Sequence, residues 1–227
     1  MATETLPLFP LGTVLYPGLV LPLNIFEERY RQLVRDLLDG PEPRRFGVIA
    51  IREGRETGVD GVSALHDVGC VAIVREATEL PDGRYELLTV GTERFKLHRL
   101  GGAAGQSTPY LLGEVELLGE PVGDETEAEV AVAAVRRGFR GYLDMLVTKG
   151  SATISVPELP DEPVLLSYLV AASVIIDLPQ RQGLLAQPTA LRRLRAEQAL
   201  LAKETAILRS LGSTPAPDLR SSPYSEN

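Results

Sequence analysis

Four prolines divide the start of this chain into short apolar runs, and they restrict its fold more than any other feature: Pro7, Pro10, Pro17 and Pro22. Each proline fixes φ and removes a backbone hydrogen-bond donor, so strands that contain one belong at sheet edges or bulges. We expect two short strands, Thr13–Tyr16 and Leu19–Leu23, joined by a turn at Pro17-Gly18. The segment therefore predicts entry into a small, curved β-structure.

A charged amphipathic helix follows these strands. Apolar residues recur at helical spacing, and glutamates and arginines fill the other positions. The predicted helix stops near Gly40-Pro41. Its apolar face consists of Phe26, Tyr30, Leu33, Val34 and Leu37.

Short β-branched runs continue to about residue 120, each bounded by Gly, Pro or Asp. The Pro-Asp-Gly of Leu80–Gly83 is a turn signal and predicts a hairpin between the runs on either side of it. Successive strands without intervening helices predict a partly closed barrel. The candidate strands are Phe46–Arg52, Val68–Glu76, Tyr85–Arg94, Phe95–Arg99 and Leu111–Leu118.

Helical spacing replaces the β pattern after Gly119–Asp124. The predicted helix that begins at Pro163 is apolar on all sides, so we expect it to lie in the middle of a bundle. In the last predicted helix, Leu194, Leu201 and Leu208 are seven residues apart, which indicates either packing within that bundle or a coiled-coil seam. The Ser/Pro-rich tail, residues 213–227, is expected to be disordered. The first predicted helix begins at Glu125 and ends near Val147, and the second begins at Pro163 and runs through Leu165–Ile176. A short segment, Gln180–Ala186, precedes the last predicted helix, Thr189–Leu211.

Several motifs occur in the order and at the distances found in one known family. They are P-L-F-P-L, V-L-Y-P-G, L-P-L and I-F-E-x-R-Y within residues 6–30, then Phe46–Val48, Gly69–Ala72 and Gly91–Phe95. This pattern resembles the Lon N-terminal, substrate-binding domain over residues 6–120, and the helical region after them also fits. The resemblance implies an α+β fold with a PUA-like, partly closed β-barrel followed by a C-terminal α-helical bundle. The implied boundaries are 1–120 for the β-rich part, 121–212 for the bundle and 213–227 for the tail.

Charge and composition restrict the partners. The 23 basic and 31 acidic residues give a net charge of −8 without a dense basic cluster, so we expect no nucleic-acid partner. The PUA-like half leaves RNA binding open by analogy alone. No long apolar run or leader-like segment occurs, so we expect no membrane partner and a cytoplasmic location.

The motifs of nucleotide-driven proteolysis are missing from this sequence. There is no P-loop, and Lys149-Gly150-Ser151 is better explained as a solvated loop than as a nucleophile dyad. His66, His98 and Cys70 lack partners at metal-ligand spacing, and Cys70 is expected to be an inert core thiol. We therefore expect a non-enzymatic, stand-alone relative of the Lon domain with no catalytic residues, metal or cofactor.

The resemblance implies binding of unfolded polypeptide or a partner protein, as an adaptor or chaperone-like protein. Tyr16 and Leu19 beside Pro17 could form an exposed apolar contact and Glu28 and Arg29 a polar rim, although barrel core is the preferred explanation for the apolar residues. The alternative function is a small-molecule sensor or enzyme that uses a groove between the two halves, bordered by Gly101–Pro109. Oligomeric state is left open. The candidate binding residues are Tyr16, Pro17, Gly18, Leu19, Phe26, Glu28, Arg29 and Tyr30.

Overall fold

A computed structural model describes residues 3–54, 62–101, 108–148 and 159–211. Lys149-Gly150-Ser151, the tail 213–227 and most of the loop Gly101–Pro109 lie outside these residues. The strands are β1 Thr3–Leu11, β2 Val20–Ile25, β3 Arg45–Gly54, β4 Val62–Leu65, β5 Val68–Glu79, β6 Tyr85–Leu100 and β7 Leu111–Leu118. The helices are α1 Glu28–Asp39, α2 Glu125–Thr148, α3 Pro163–Ser173, α4 Leu178–Leu185 and α5 Ala190–Leu211.

Five of the strands form a ring. The hydrogen-bonded order β1-β7-β6-β5-β3 returns to β1 because β1 and β3 pair in parallel, while the other pairs are antiparallel. β2 is added to β6, and β4 to the end of β3. The α+β class, with a β-barrel followed by helices, is confirmed, and the ring is closed.

The prolines of β1 explain why the sequence did not predict this strand. Residues 3–8 pair with β7 and residues 8–11 pair with β3, so Pro7 and Pro10 each lie in a half of β1 that has one neighbour in the pairing. At such a position the proline nitrogen, which has no hydrogen to donate, can face the side of the strand that has no pairing partner. The predicted strand Thr13–Tyr16 is wrong, because that segment has no strand structure and leads instead into the Pro17-Gly18 turn.

β6 is one long strand where the sequence predicted two. Its first part, from Tyr85 to Val90, pairs with β2, and its second part, from Arg94 to Leu100, pairs with β7, while β5 runs along the other side. The hairpin predicted at Leu80–Gly83 is confirmed, since β5 and β6 are joined there and Gly83 N–H donates to the Leu80 carbonyl at 2.8 Å. Gly83 has φ +76°, which a glycine adopts without cost.

The helical half packs around its own core. α3 contacts α2, α4 and α5, as expected for an apolar helix in the middle of a bundle. Leu194 and Leu201 of α5 are buried in that core and Leu208 is packed against it, which confirms packing within the bundle. Local signals set the helix starts: the Glu162 side chain accepts from Val164 N–H and Leu165 N–H, and Asp177 forms a capping box with Gln180.

Candidate functional site

The Pro17-Gly18 turn lies between β1 and β2. Leu19 N–H donates to the Tyr16 carbonyl at 3.2 Å, and Gly18 has φ +82°, as expected at the third position of a type II turn. Gly18 N–H donates to the Gly91 carbonyl at 2.9 Å, and Gly91 N–H donates to the Leu19 carbonyl at 2.8 Å. The turn is therefore fastened to the middle of β6.

Tyr16 lies inside the molecule at the junction of the two halves. It is 1% exposed, its ring centroid is 6.0 Å from that of Tyr168 on α3, and its hydroxyl donates to the Arg181 carbonyl at 2.9 Å. Burial raises the pKa of the Tyr16 hydroxyl. The expectation that Tyr16 forms an exposed apolar contact is wrong, because α3 and α4 cover this side chain.

A buried ionic network continues this junction. Arg94 Nε donates to the Glu120 carboxylate at 2.6 Å, and the Tyr168 hydroxyl donates to the other Glu120 oxygen at 2.5 Å. Arg193, fully buried, donates to the Ser167 hydroxyl at 2.9 Å and lies over the Tyr168 ring at 3.9 Å. Arg94 comes from the Gly91–Phe95 motif, so a structural role at the junction accounts for it.

Side chains fill the junction where the sequence suggested a groove. The apolar cluster at this boundary combines barrel residues with residues of α3 and α4 and is buried throughout. The described residues therefore give no support to a small-molecule site between the two halves. The buried members of the cluster are Val14, Tyr16, Ala50, Tyr168, Ala171, Leu184 and Leu185.

An open cleft lies at the other end of β2, where the chain enters α1. The Phe9 and Tyr30 rings stack with centroids 4.2 Å apart, and Phe26, 55% exposed, stands beside them. We call this cleft, formed mainly by Phe9, Leu11, Leu23, Phe26 and Tyr30, the aromatic cleft. Its volume is about 90 Å³.

Charged groups occupy one side of the aromatic cleft. The Arg29 guanidinium lies 4.6 Å from the Tyr30 ring centroid, and Arg29 Nε donates to Glu27 at 3.0 Å. Glu27 lines the cleft, whereas Glu28 lies outside it and pairs with Arg31 and Arg35 along α1. The hydrogen bond from Arg35 lowers the pKa of the Glu28 carboxyl.

The structure divides seven of the eight candidate residues into two groups separated by β2, and Glu28 belongs to neither. Tyr16 and Pro17 are buried at the junction with exposed Gly18 and half-buried Leu19 beside them, whereas Phe26, Arg29 and Tyr30 are at the aromatic cleft. A strand of six residues, such as β2, extends about 20 Å. The candidate residues chosen from the sequence did not include Phe9, Leu11, Leu23 and Glu27, although the P-L-F-P-L, L-P-L and I-F-E-x-R-Y motifs contain all four.

The described residues contain little that resembles catalytic chemistry. Cys70 is fully buried, and burial raises the pKa of its thiol, as expected for an inert core cysteine. No group of three or more His, Cys, Asp or Glu that could hold a metal ion occurs in the described ranges. No helix of that part of the chain is long and apolar enough to cross a membrane.

Known proteins resemble this chain along most of its length. It is 26% identical over 204 residues to Lon protease of Escherichia coli (strain K12), covering 89% of this chain, and 27% identical over 206 residues to Lon protease of Anaeromyxobacter dehalogenans, covering 90%. The chain spans about a quarter of the length of these curated relatives, 25% and 24% respectively.

Two solved structures share the fold. The Lon N-terminal domain protein from Xanthomonas campestris matches with a TM-score of 0.59 and 26% identity, over 88% of this chain and 98% of that one. The N-terminal domain of Mycobacterium avium complex Lon protease matches with a TM-score of 0.60 and 16% identity, over 89% and 98%, and shows the fold alone. The model of the ATP-dependent protease La (LON) substrate-binding domain matches residues 5–203, which include nearly all of the barrel and helices described above, and the chain therefore belongs to that family.

Proposed function

We propose that this protein recognises polypeptide segments that expose a large apolar side chain, and that the aromatic cleft is the contact site. The observation that carries the proposal is Phe26, an aromatic residue that is 55% exposed at the mouth of an apolar cleft. Folded proteins bury most large apolar side chains, whereas unfolded chains expose them. A cleft of this kind therefore favours unfolded segments over folded proteins.

The geometry of the cleft suits a protruding side chain. Phe9 and Tyr30 form a stacked aromatic wall, and Leu11 and Leu23 supply aliphatic surface. Glu27 and Arg29 lie at the edge, where they can hydrogen-bond to the backbone of a bound segment. The apolar interior of the cleft supplies affinity for the side chain, and the polar edge limits the orientation of the bound segment.

We propose a binding role without covalent chemistry. Burial raises the pKa of the Cys70 thiol, which disfavours the thiolate that a nucleophilic role would need. The family to which the chain belongs is defined by substrate binding, in agreement with this role. Binding at the aromatic cleft would allow the protein to hold unfolded chains or to deliver them to a separate protease.

A titration with an unfolded model polypeptide tests the proposal. Fluorescently labelled, reduced and carboxymethylated α-lactalbumin is titrated with the intact protein, with Phe26→Ser and with Ile175→Ser. Ile175 is the matched control, because it is an exposed apolar residue, 69% exposed, that does not line the cleft. We expect Phe26→Ser to weaken binding about tenfold, or about 1.4 kcal/mol, and Ile175→Ser to leave it unchanged. Equal affinities for all three proteins would refute the assignment of the cleft.

A further inference from the structure

The outer edge of β2 is unpaired where it borders the aromatic cleft. β2 pairs with β6 along one side, and no strand of the described ranges pairs with it along the other. The cleft lies beside that outer edge, between residues 9–11 of β1 and residues 23–25 of β2. An unpaired edge presents a row of backbone hydrogen-bond donors and acceptors, which is a template for another extended chain.

The hydrogen bonds of the turn show which backbone groups of β2 face outward. Gly91 N–H on β6 donates to the Leu19 carbonyl at 2.8 Å, so Leu19 faces β6. Backbone groups alternate in direction along an antiparallel strand, and residues 20, 22 and 24 therefore face away from β6. Pro22 agrees with this assignment, because a proline nitrogen belongs on the unpaired side. The outward groups beside the cleft are thus the Asn24 N–H and the carbonyls of Pro22 and Asn24.

Pro22 limits how far an added strand can extend along this edge. Apart from the pairing with β6, no hydrogen bond within the described part of the chain reaches Pro22 or Asn24. The proline offers no donor, and its ring takes the place of the missing hydrogen. An added strand is therefore expected to pair with Pro22–Ile25, next to the cleft, and not with the whole of β2. The same proline disfavours edge-to-edge pairing of two copies of the chain.

The two faces of β2 differ in character beside the cleft. Leu23 packs on the apolar core that contains the cleft, whereas Asn24 is exposed on the other face, directly opposite Glu86 of β6. A groove of about 410 Å³ on that outer face is lined by Asn24, Glu76 and Glu86, among others, and by no basic residue. Neither glutamate side chain forms an ion pair with another described residue. The edge thus has an apolar side and an anionic side.

We propose that an extended segment of an unfolded polypeptide adds to β2 as a short strand at Pro22–Ile25, with an apolar side chain in the aromatic cleft and a lysine or arginine next to it in sequence. This inference rests on the proposed function and specifies the conformation and charge of its ligand. Neighbouring residues of a strand point to opposite faces, so the residues that flank the apolar one point toward the face of Glu86. Backbone hydrogen bonds supply affinity for any sequence, while the cleft and the glutamates select alternating apolar and basic side chains.

A backbone-methylation scan of a bound peptide tests strand addition with the intact protein. The probe is a fluorescently labelled nonapeptide with a central phenylalanine, a lysine on each side of it and threonine elsewhere. Methylation of one amide nitrogen at a time removes one donor. We expect a loss of about tenfold in affinity at two residues that are two positions apart, whose N–H groups donate to the Pro22 and Asn24 carbonyls, and no loss at the residue between them. Uniform effects along the peptide would overturn strand addition.

Replacement of the phenylalanine of the peptide by serine separates this result from the proposed function. A peptide that needs its phenylalanine but shows uniform methylation effects would retain the aromatic cleft as the contact site and overturn the added strand. A peptide that does not bind, or that binds equally well without its phenylalanine, would overturn both. The expected result is a need for the phenylalanine together with alternating methylation effects.

Proline substitutions on β2 test the same edge from the protein side. Asn24→Pro removes the outward donor beside the cleft, and Val20→Pro, the matched control, removes the outward donor at the far end of the same strand. Both positions face away from β6, so pairing with β6 is retained, and circular dichroism checks that each variant folds. We expect Asn24→Pro to bind the nonapeptide about tenfold more weakly, and Val20→Pro and Asn24→Ala, which keeps the donor, to bind it normally. Equal affinities for the two proline variants would overturn the proposal.

Neutralisation of single glutamates tests the preference for a basic neighbour. Glu86→Gln and Glu129→Gln each remove one negative charge, but Glu129 is an exposed residue of α2 that does not line the groove. We expect only Glu86→Gln to weaken binding of the nonapeptide, by about threefold, with a smaller difference at high salt. Equal affinities for both variants would overturn the basic part of the proposal.

A second copy of the chain is the other occupant that the edge could take. Sedimentation equilibrium without peptide is expected to give the mass of one chain. A dimer that Asn24→Pro dissociates would assign the edge to the second copy and overturn the proposal.

Discussion

Arg94 and Glu120 form an ion pair at 2.6 Å between the barrel and the segment that leads into α2, with Arg94 2% exposed. The same guanidinium donates to the carbonyl of Leu185, the last residue of α4, at 2.9 Å and to that of Gln187 at 2.7 Å. One side chain thus holds three parts of the chain that are far apart in sequence. This pair is one of the polar connections between the barrel and the helices, together with the hydrogen bonds from the Tyr16 hydroxyl to the Arg181 carbonyl and from the Gln182 amide to the Val68 carbonyl.

Replacing Arg94 with methionine should destabilise the whole fold. The substitution keeps an apolar stem but removes the donor to one Glu120 oxygen and to the Leu185 and Gln187 carbonyls. Each buried acceptor that loses its donor costs about 1–3 kcal/mol. Chemical denaturation followed by circular dichroism measures the free energy of unfolding. Arg99→Met is the control, because Arg99 is 64% exposed and its ion pair with Glu114 is expected to contribute less than about 1 kcal/mol. Similar losses from both substitutions would contradict a structural role for the Arg94 network.

Glu197 should make stability fall as pH rises. Its carboxylate is fully buried on α5, no hydrogen bond reaches either oxygen among the described residues, and desolvation raises the pKa well above the ordinary value of 4.5 despite the nearby charge of Arg193. The buried Tyr16 hydroxyl is the titratable group that faces it from the barrel. Above pH 4.5 the unfolded chain loses this proton while the folded chain retains it, so folding becomes less favourable until the pH passes the raised value.

The variant Glu197→Gln tests whether the Glu197 carboxyl lowers the free energy of unfolding as the pH rises. It should match the intact protein at acidic pH and exceed it in stability at neutral pH, with a difference that grows by up to about 1.4 kcal/mol per pH unit. Denaturation curves measured from acidic to neutral pH give the comparison. A constant difference across that range would mean that Glu197 has the same pKa in both states.

Gly91 is required by the Pro17-Gly18 turn. A Cβ at Gly91 would lie 2.4 Å from the Tyr16 carbonyl oxygen, a backbone atom that cannot move aside without breaking the turn. We expect Gly91→Ala to lower the free energy of unfolding by about 1–3 kcal/mol. Gly119→Ala serves as the control, since a Cβ there meets nothing within 4 Å. Thermal unfolding of both variants should show a large fall in Tm for Gly91→Ala alone.

The pattern of apolar residues was sufficient to predict most elements, because helical and alternating spacings are local. β7 at Leu111–Leu118 was predicted with its bounds, and α2 and α5 to within one residue. β1 was missed because the rule that keeps proline out of strands assumes neighbours on both sides. One half of β1 pairs with β7 and the other half with β3. This pairing depends on the tertiary structure, and the spacing of apolar residues along the sequence does not predict it.

The candidate site was harder to predict, because exposure depends on which elements cover each other. Tyr16 and Phe26 look alike in sequence, as aromatic residues near the start of the chain, yet one is 1% and the other 55% exposed. Helical spacing assigned Phe26 to the buried face of α1, but α1 begins at Glu28, so Phe26 stands ahead of the helix. Phe9 was missed because it lies on β1, the strand that the sequence did not predict.

Mapping the contact surface of a bound polypeptide tests whether the aromatic cleft is the binding site. Amide chemical shifts of the isotopically labelled protein are recorded while an unlabelled, unfolded polypeptide is added. We expect the largest shifts to fall on Phe9–Leu11 and Leu23–Tyr30, which form the aromatic cleft, and Phe26→Ser to remove them. Shifts confined to α5 or to the Tyr16 junction, with the cleft unchanged, would contradict this expectation.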